Sequence, residues 1–356
     1  MRDDTRRIGL RAIAFLRNYY VRRILRATAT FLLGMFVVFA LYRLMPGGPL
    51  DAMMTQMVQQ MRQEQGHVDM ARIAHRAKVL TGIDPSKPIP LAYYGYLKDI
   101  IIHQDFGQSI AYSDPVFKIL FKAMPWSIFI SVYGLFLGYT SNILIGALMA
   151  YRQGTRTDSS LTVFVLVMNS VPYFVVAIVL LSLVGFQWHL LPTGGRYPSQ
   201  ATPGFNLEFM IGMVRHSILP IGSSFIVGFA GGSLQMRGNA ISIMGSDYLR
   251  LANIRGLSTN RILTRYLTRN AILPIYTSII IGISALFSSS VITERIFQYP
   301  GVGWYTFEAL QYQDYPLLMG AFIFFALLTI LGTLIADFTY GLIDPRAGTG
   351  DQRESY

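Results

Sequence analysis

The sequence predicts an all-α integral membrane protein with six transmembrane helices, both termini in the cytoplasm and a large extracytoplasmic loop between the first two spans. Three observations support this fold class. Hydrophobic residues make up 52% of the chain and charged residues only 14%, whereas a soluble domain carries about 25% charged residues. Several apolar runs are long enough to cross a bilayer. Lysines and arginines are concentrated in the short loops that would all lie on the same side of the membrane. The positive-inside rule assigns such loops to the cytoplasm.

Composition also excludes several classes of function. The net charge is +11, but the basic residues are scattered between the spans and form no single stripe. We therefore expect this chain to contact membrane lipid and to bind no nucleic acid. The chain has no cysteine, which excludes disulfides and thiolate chemistry. Its five histidines are dispersed without metal-ligand spacing. The sequence contains no Gly-Lys pair, and therefore no P-loop for nucleotide phosphates. We expect this chain to have no catalytic residue, bound cofactor or metal.

The N-terminal part is predicted to contain one span and one long loop. Residues 1–26 carry eight arginines and form a cytoplasmic segment. The first transmembrane helix is predicted at 27–45, and the Pro-Gly-Gly-Pro sequence that follows would end it. Residues 46–124 contain no run long enough to span, and we place this region outside, because long loops translocate largely regardless of charge.

Residues 125–343 are predicted to form the transmembrane core, and residues 344–356 a cytoplasmic tail. The third span contains Pro172, which neighbouring helices can accommodate in a membrane. The fourth is rich in glycine, which favours close helix packing. The predicted second to sixth spans are approximately Ile128–Ala150, Leu161–Phe186, Ile218–Leu234, Ile272–Ile292 and Leu317–Leu334.

The longest polar interruption in the second half is Gly245–Pro274. Most of it falls in a predicted cytoplasmic loop at 237–271. Asp247 suits the positive end of a helix dipole, and Gly256 is well placed to end that helix. Ser258 offers the N-cap of a second helix. The apolar face of this second helix would consist of Ile262, Leu263, Tyr266 and Leu267.

The residues alone leave two interpretations of this loop. Its two amphipathic helices could lie on the inner leaflet, or they could dock into a groove on a soluble partner. A stand-alone channel or secondary carrier would need ionisable or filter-like groups at mid-membrane depth, which the sequence does not offer. A membrane enzyme would need a clustered catalytic set, which is also missing.

The same loop resembles the EAA loop of binding-protein-dependent ABC importer permeases. Asp247–Ala252, Arg255–Ser258 and Arg269–Pro274 are similar to the dipeptide/oligopeptide (nickel) branch of that family. The literal Glu-Ala-Ala is replaced by Arg250-Leu251-Ala252, and Asn253-Ile254 stands where the branch often has a basic residue and Ala. Further similar motifs occur in order from about residue 23 to 346, at Pro46–Pro49, Asp105–Ser109, Ser170–Pro172, Glu294–Phe297, Pro300–Gly303, Asp314–Pro316 and Asp344–Arg346.

The resemblance implies a type I ABC importer permease fold in the cytoplasmic membrane of a prokaryotic cell. The implied partners are a homologous permease subunit, two cytoplasmic ABC ATPase subunits and an extracytoplasmic solute-binding protein. ATP and Mg²⁺ would be bound by the ATPase subunits. The implied cargo is di- and oligopeptides, with oligosaccharides or nickel as alternatives within the same architecture.

The resemblance also implies roles for particular residues. An exposed apolar face of Tyr248, Leu251 and Ala252 would sit in a groove on one ATPase, with Arg250 and Arg255 at its rim. The full set of ATPase-coupling residues is Asp247, Tyr248, Arg250, Leu251, Ala252, Arg255, Gly256 and Leu257.

Two further sets of residues are implied outside the coupling loop. The candidate pore-lining residues are Ser284, Ser288 and Ser289, which could equally hold helices together. The candidate docking surface for the solute-binding protein is the outer loop at 46–124 with Phe297, Pro300, Gly301 and Trp304.

Overall fold

A computed structural model describes residues 19–44, 54–55, 57–59, 61–62, 70–73, 75, 87–268, 271 and 291–343. Within these ranges the chain is helical, and its β-structure consists of one isolated bridge between Gln108 and Pro115. The chain divides into two compact units, one of Met1–Lys122 with Tyr305–Tyr356 and the other of Ala123–Trp304. The main helices are α1 (Tyr19–Leu44), α2 (Ile89–Lys98), α3 (Val116–Tyr151), α4 (Arg156–Ser170), α5 (Tyr173–Leu180), α6 (Leu207–Met244), α7 (Asp247–Ile254), α8 (Thr259–Arg261), α9 (Val302–Gln311) and α10 (Tyr315–Ile343).

Four of these helices contain segments long and apolar enough to cross a membrane, namely Val21–Leu44, Val116–Tyr151, Leu207–Met244 and Tyr315–Ile335. The helices α4 and α5 together count as a fifth candidate span. The described residues therefore confirm an all-α, multi-pass architecture, with four candidate spans, or five if the bent pair is one broken span. The predicted fifth span at Ile272–Ile292 lies almost entirely outside the described residues.

Two helices are longer than hydropathy predicts. Helix α3 begins at Val116, before the predicted start at Ile128, and contains Pro125. Helix α6 extends beyond Ile218–Leu234 at both ends. Its start is fixed by the Asn206 side chain, which accepts a hydrogen bond of 2.8 Å from the Phe209 N–H. The added turns contain charged residues, among them Lys118 and Lys122 in α3 and Glu208 and Arg215 in α6, so they fall outside the uninterrupted apolar runs that hydropathy identifies.

The predicted third span is two helices that meet at 93°. Val171 is extended between them, with φ −85° and ψ 123°. Pro172 explains the break, because proline has no N–H to donate and disfavours helical geometry in the residue before it. Helix α5 then continues as a π-helix over Leu181–Gln187.

Close helix packing in the second unit depends on two of the predicted glycines. A Cβ on Gly232 of α6 would collide with the Asn142 side chain of α3. A Cβ on Gly231 would lie 3.0 Å from Asn169 Oδ1 of α4. The packing role is confirmed at these two positions, whereas a Cβ on Gly222 or Gly228 would meet no atom within 4 Å among the described residues.

The first unit is built around an apolar cluster from α1, α2 and α10, and its buried members are Met35, Phe39, Ala92, Tyr96, Met319 and Ile323. Asp314 lies directly before α10 and is fully buried. Its carboxylate accepts hydrogen bonds from Ser109 Oγ, from the Ala111 N–H at 3.0 Å and from the Leu317 N–H at 3.2 Å. Asp314 therefore caps α10 and holds the 109–111 turn against it.

Replacing Asp314 with asparagine is expected to destabilise the first unit. The asparagine side chain would place an N–H₂ donor opposite the groups that now donate hydrogen bonds to Oδ2 of Asp314. Losing such charge-assisted hydrogen bonds lowers the free energy of unfolding by about 2 kcal/mol. Thermal unfolding of the purified protein in nanodiscs should show a lower midpoint. The matched control is Asp99→Asn, which removes an exposed carboxylate 3.4 Å from His103 and should leave the midpoint unchanged. Equal midpoints for the two variants would contradict the capping role.

Candidate functional site

The predicted coupling helix is present as α7, which spans Asp247–Ile254. The Ser246 carbonyl accepts hydrogen bonds from the Leu249 N–H at 3.1 Å and the Arg250 N–H at 3.3 Å, and so begins the helix. Asp247 lies in the first turn, where a carboxylate complements the helix dipole. The helix prediction for this stretch is confirmed.

Helix α7 ends at Gly256, as the sequence predicts. Gly256 has a φ of +65°, in the left-handed region that glycine adopts without strain. The Leu257 N–H then reaches back to the Ala252 carbonyl at 3.3 Å. This bond over five residues is the signature of a Schellman C-cap. The glycine therefore sets the direction in which the chain leaves α7.

The two sides of α7 have different environments. Leu249 and Ala252 are 4% and 3% exposed and belong to the protein's own core. On the other side, Leu251 is 52% exposed and Ile254 is 77% exposed. Arg250 and Arg255 are also exposed. An eight-residue helix thus presents an apolar patch flanked by two arginines.

One predicted member of the exposed face differs in the structure. Ala252 was grouped with Tyr248 and Leu251, but it faces inward and packs with the core. The residue that completes the exposed patch is Ile254, which the prediction did not include. The spacing explains the difference, since Leu251 and Ile254 are three residues apart on one side of the helix, with Leu249 and Ala252 on the other.

The chain after Gly256 secures α7 to two long helices. Ser258 is at the N-cap position of α8, as predicted, but its side chain makes no capping bond. Helix α8 continues as a π-helix over Ile262–Leu267. The predicted apolar face is confirmed, since Ile262 and Leu267 are buried. The buried cluster consists of Ala147 and Ala150 of α3, Met236 and Ala240 of α6, and Leu249, Ala252, Ile262, Leu267 and Ala271.

An ion pair that the sequence analysis missed lies at the same end of α6. Asp158 of α4 is 4% exposed, and its two oxygens accept hydrogen bonds from Arg237 Nε and Nη2, each at 2.8 Å. The Gly154 N–H also donates to Asp158, at 3.1 Å. Thr155 Oγ1 in turn accepts from the Asp158 N–H. The bidentate pair joins the start of α4 to α6, and Arg237 belongs to α6 instead of the predicted loop at 237–271.

Two of the four residues predicted to dock a solute-binding protein, Phe297 and Gly301, are internal. Phe297 is 2% exposed, and Gly301 is buried against Ser127 and Glu294, with which a Cβ would collide. Both therefore build the interior of the second unit and offer little surface. Pro300 and Trp304 are half-buried, and the guanidinium carbon of Arg295 lies 4.7 Å from the Trp304 ring centroid.

Glu294 explains why this segment is internal. It is fully buried and accepts hydrogen bonds from Ser127 Oγ at 2.6 Å and from the Trp304 N–H at 2.8 Å. Ser127 Oγ also accepts from the Val302 N–H at 2.8 Å. Burial raises the pKa of the neighbouring Tyr299 hydroxyl above its usual value. The Glu294–Trp304 motif is therefore a packed anchor on α3.

The remaining predicted sites are untested. Ser284, Ser288 and Ser289 lie outside the described residues. In the part of the chain that the structure describes, no group of three or more His, Asp or Glu side chains could hold a metal ion.

The sequence did carry one signal for the Asp158–Arg237 ion pair. Thr155-x-x-Asp158 matches a capping box, which places Asp158 in the first turn of α4.

Helix α7 and Gly256 lie inside a match to a known protein family. Residues 142–349 match the family of binding-protein-dependent transport system inner membrane components. The oligopeptide transport system permease protein AppB of Bacillus subtilis is 28% identical over 331 residues, covering 92% of this chain and 98% of that protein. The dipeptide transport system permease protein DppB of Escherichia coli K12 is 28% identical over 345 residues, with the same coverage. DppB of Haemophilus influenzae is 29% identical over 342 residues, covering 92% of this chain and 98% of that protein.

A solved structure of the MetNI methionine ABC transporter, in inward-facing conformations, is also similar. It matches with a TM-score of 0.49 and 11% sequence identity, covering 64% of this chain and 97% of that chain.

Replacing Gly256 with alanine is expected to destabilise the C-cap of α7. A Cβ at this position meets no atom within 4 Å among the described residues, so the cost is conformational and about 1 kcal/mol. Asparagine, which tolerates left-handed geometry, should cost less. The matched control is Gly245→Ala, because Gly245 has a φ of −76°. Hydrogen exchange at the Leu257 amide should accelerate in Gly256→Ala and stay unchanged in Gly245→Ala; similar rates in both variants would contradict the assignment.

Replacing Asp158 with asparagine is expected to destabilise the second unit. The change leaves the partly buried Arg237 without its counter-ion, and breaking a pair of this kind costs about 3 kcal/mol. The comparison is Lys118→Gln, which breaks an ion pair of 2.9 Å between exposed side chains and should cost under about 0.5 kcal/mol. Thermal unfolding of both variants in nanodiscs measures the difference. Equal losses would show that burial adds nothing to the Asp158–Arg237 pair.

Proposed function

Because the chain belongs to the family of binding-protein-dependent transport system inner membrane components, we propose that it is a permease subunit of an ATP-driven importer of di- and oligopeptides. It is a transport subunit, and not an enzyme. The observation that carries the proposal is the two-sided helix α7, with one side packed in the permease core and the other exposed. The peptide assignment is supported by the relatives AppB and DppB, which are peptide permeases.

We propose the six-span topology with both termini in the cytoplasm. Support comes from the end of the second unit that carries α7. The turn after α3 lies at this end, because Tyr151 OH is 3.3 Å from Thr259 Oγ1. The positive-inside rule assigns this end to the cytoplasm of a prokaryotic cell. Its exposed arginines are Arg152, Arg156, Arg250, Arg255, Arg261 and Arg265.

Helix α7 is proposed to couple the permease to a cytoplasmic ATPase. Leu251 and Ile254 would enter an apolar groove, and Arg250 and Arg255 would meet acidic groups at its rim. Leu249 and Ala252 fix α7 to α3 and α6. A displacement of the groove would therefore move both long helices, because packed interiors are close to rigid.

The other partners follow from the same architecture. A homologous permease would complete the translocation path, and two ATPase subunits would bind ATP and Mg²⁺. A solute-binding protein would deliver peptides on the opposite face of the membrane. Among the residues predicted to contact it, Pro300 and Trp304 retain some exposed surface.

Replacing Ile254 with aspartate is expected to abolish ATPase recruitment and leave the permease fold intact. An isolated carboxylate in an apolar groove is strongly unfavourable, whereas a side chain that is 77% exposed contributes little to internal packing. Co-purification of the ATPase subunits with the solubilised permease pair measures recruitment. Uptake of a radiolabelled dipeptide by cells expressing the whole transporter measures function.

The matched control is Leu310→Asp on α9, since Leu310 is also exposed, at 65%, but lies outside the coupling segment. This variant should retain the ATPase subunits. Recruitment by the Ile254→Asp variant would contradict the role of this patch. A transporter that assembles and hydrolyses ATP but imports no peptide would contradict the proposed cargo.

A further inference from the structure

A pocket in the second unit lies at the opposite end of α6 from α7. Its volume is about 660 Å³, within the usual range for small-ligand sites. Its walls are the π-helix that continues α5, the chain that follows this π-helix, and the first turns of α6. The lining residues that matter to its chemistry are His189, Pro198, Glu208, Gly212, Arg215 and His216. On the proposed topology this end is extracytoplasmic.

The pocket wall is held in place by contacts around Gly212. A Cβ on Gly212 would collide with the Pro198 ring, so the glycine allows the incoming chain to lie directly on α6. Next to Pro198, the Tyr197 ring contacts Phe209 of α6, with ring centroids 5.0 Å apart and the ring planes tilted by 58°. Tyr197 also packs on Trp126 of α3, at 5.5 Å. The chain over the pocket is therefore anchored to two helices.

Two opposite charges line this pocket from one face of α6. Glu208 and Arg215 are seven residues apart, which places them about 10 Å apart along the axis and on the same side of the helix. Both side chains are exposed. Within the described part of the chain, neither has a hydrogen-bond or ion-pair partner. A carboxylate and a guanidinium thus face one pocket without neutralising each other.

The two histidines supply further hydrogen-bonding groups. His216 Nδ1 lies 2.7 Å from the Gly212 carbonyl and His189 Nδ1 lies 3.2 Å from the Gln187 carbonyl. A carbonyl only accepts, so each Nδ1 carries a proton and Nε2 is the nitrogen not used in these bonds. His189 has a φ of +52°. A non-glycine residue in this region is uncommon and occurs more often at functional sites.

We propose that this pocket binds a short zwitterionic peptide, with Glu208 contacting its α-ammonium and Arg215 its α-carboxylate. The inference rests on the proposed function, because it names a site for the same cargo on the permease itself. An extended peptide advances about 3.3 to 3.6 Å per residue. Two or three residues therefore match the rise of about 10 Å along α6 between positions 208 and 215. A single amino acid holds its charged groups too close together, and a diamine or a diacid carries charge of only one sign.

The test measures binding to the assembled permease–ATPase complex in nanodiscs, without a solute-binding protein. The probes are radiolabelled Ala-Ala and the same dipeptide with an N-acetyl group, a C-terminal amide, or both. Equilibrium dialysis should show that blocking either terminus weakens binding about tenfold, the usual loss when one charge-assisted hydrogen bond is removed. Equal binding of free and blocked dipeptides by the wild type would overturn the inference.

The variants assign each end of the peptide to one side chain. Glu208→Gln should lose the preference for a free amino terminus and keep the preference for a free carboxylate. Arg215→Gln should show the reverse. The double exchange Glu208→Arg with Arg215→Glu should recover binding, because a zwitterion can enter in the opposite direction. Arg152→Gln, at the other end of the unit, is the matched control and should bind as the wild type does.

Failure of the inference can be separated from failure of the proposed function by adding the solute-binding protein and measuring uptake. If the transporter imports dipeptides but the complex alone binds free and blocked forms equally, the pocket assignment is wrong and the importer assignment stands. If zwitterion binding follows the two charges but no peptide is imported, the pocket stands and the proposed cargo is wrong. The Glu208→Gln and Arg215→Gln variants must fold and retain the ATPase subunits. If they then bind the peptides as the wild type does, Glu208 and Arg215 are not the ligands.

Discussion

The interaction on which the second unit depends is the apolar cluster where α7 meets α3 and α6. Leu249 and Ala252 are inserted between Ala147, Ala150, Met236 and Ala240. Most of these partners are small, so the helix backbones approach closely and a short helix is held without a large core. Helix α7 has only eight residues and would be marginal in isolation, because short helices depend on tertiary packing. Its orientation is therefore a property of the two long helices.

This packing also decides which groups remain for a partner. Once Leu249 and Ala252 face inward, the helical period turns Leu251 and Ile254 outward. The Schellman cap at Gly256 then turns the chain back toward the cluster, where Ile262 and Leu267 are buried. The segment is secured on both sides of the glycine. The exposed patch is consequently presented on a fixed support, and an interface of this kind loses little conformational entropy on binding.

Features of this site that depend on interactions between residues close in sequence could be predicted, and those that depend on residues far apart in sequence could not. Helix α7, its end at Gly256 and the apolar face of Ile262–Leu267 depend on local capping and periodicity, and the structure confirms them. The inward orientation of Ala252 depends on α3, which is about 100 residues away in the chain, so local periodicity could not decide it. The burial of Phe297 and Gly301 has the same origin, since Glu294 bonds to Ser127 across 167 residues. The turns added to α3 and α6 fall outside the predicted spans because charged residues such as Lys118 and Glu208 interrupt their apolar runs.

The length of α6 gives the proposed transport function its mechanical basis. Its 38 residues span about 57 Å, from the pocket lined by Glu208 and Arg215 to the start of α7. Toward the end that carries α7, Arg237 is bound to Asp158 of α4 by two hydrogen bonds, and Gly232 packs on Asn142 of α3. Motion imposed at α7 would therefore carry α3, α4 and α6 together. The break at Val171-Pro172 changes the direction of the chain by 93°, but the helices on both sides of it, α4 and α5, pack on α6. On the proposed function, the pocket end would therefore move with the end that carries α7.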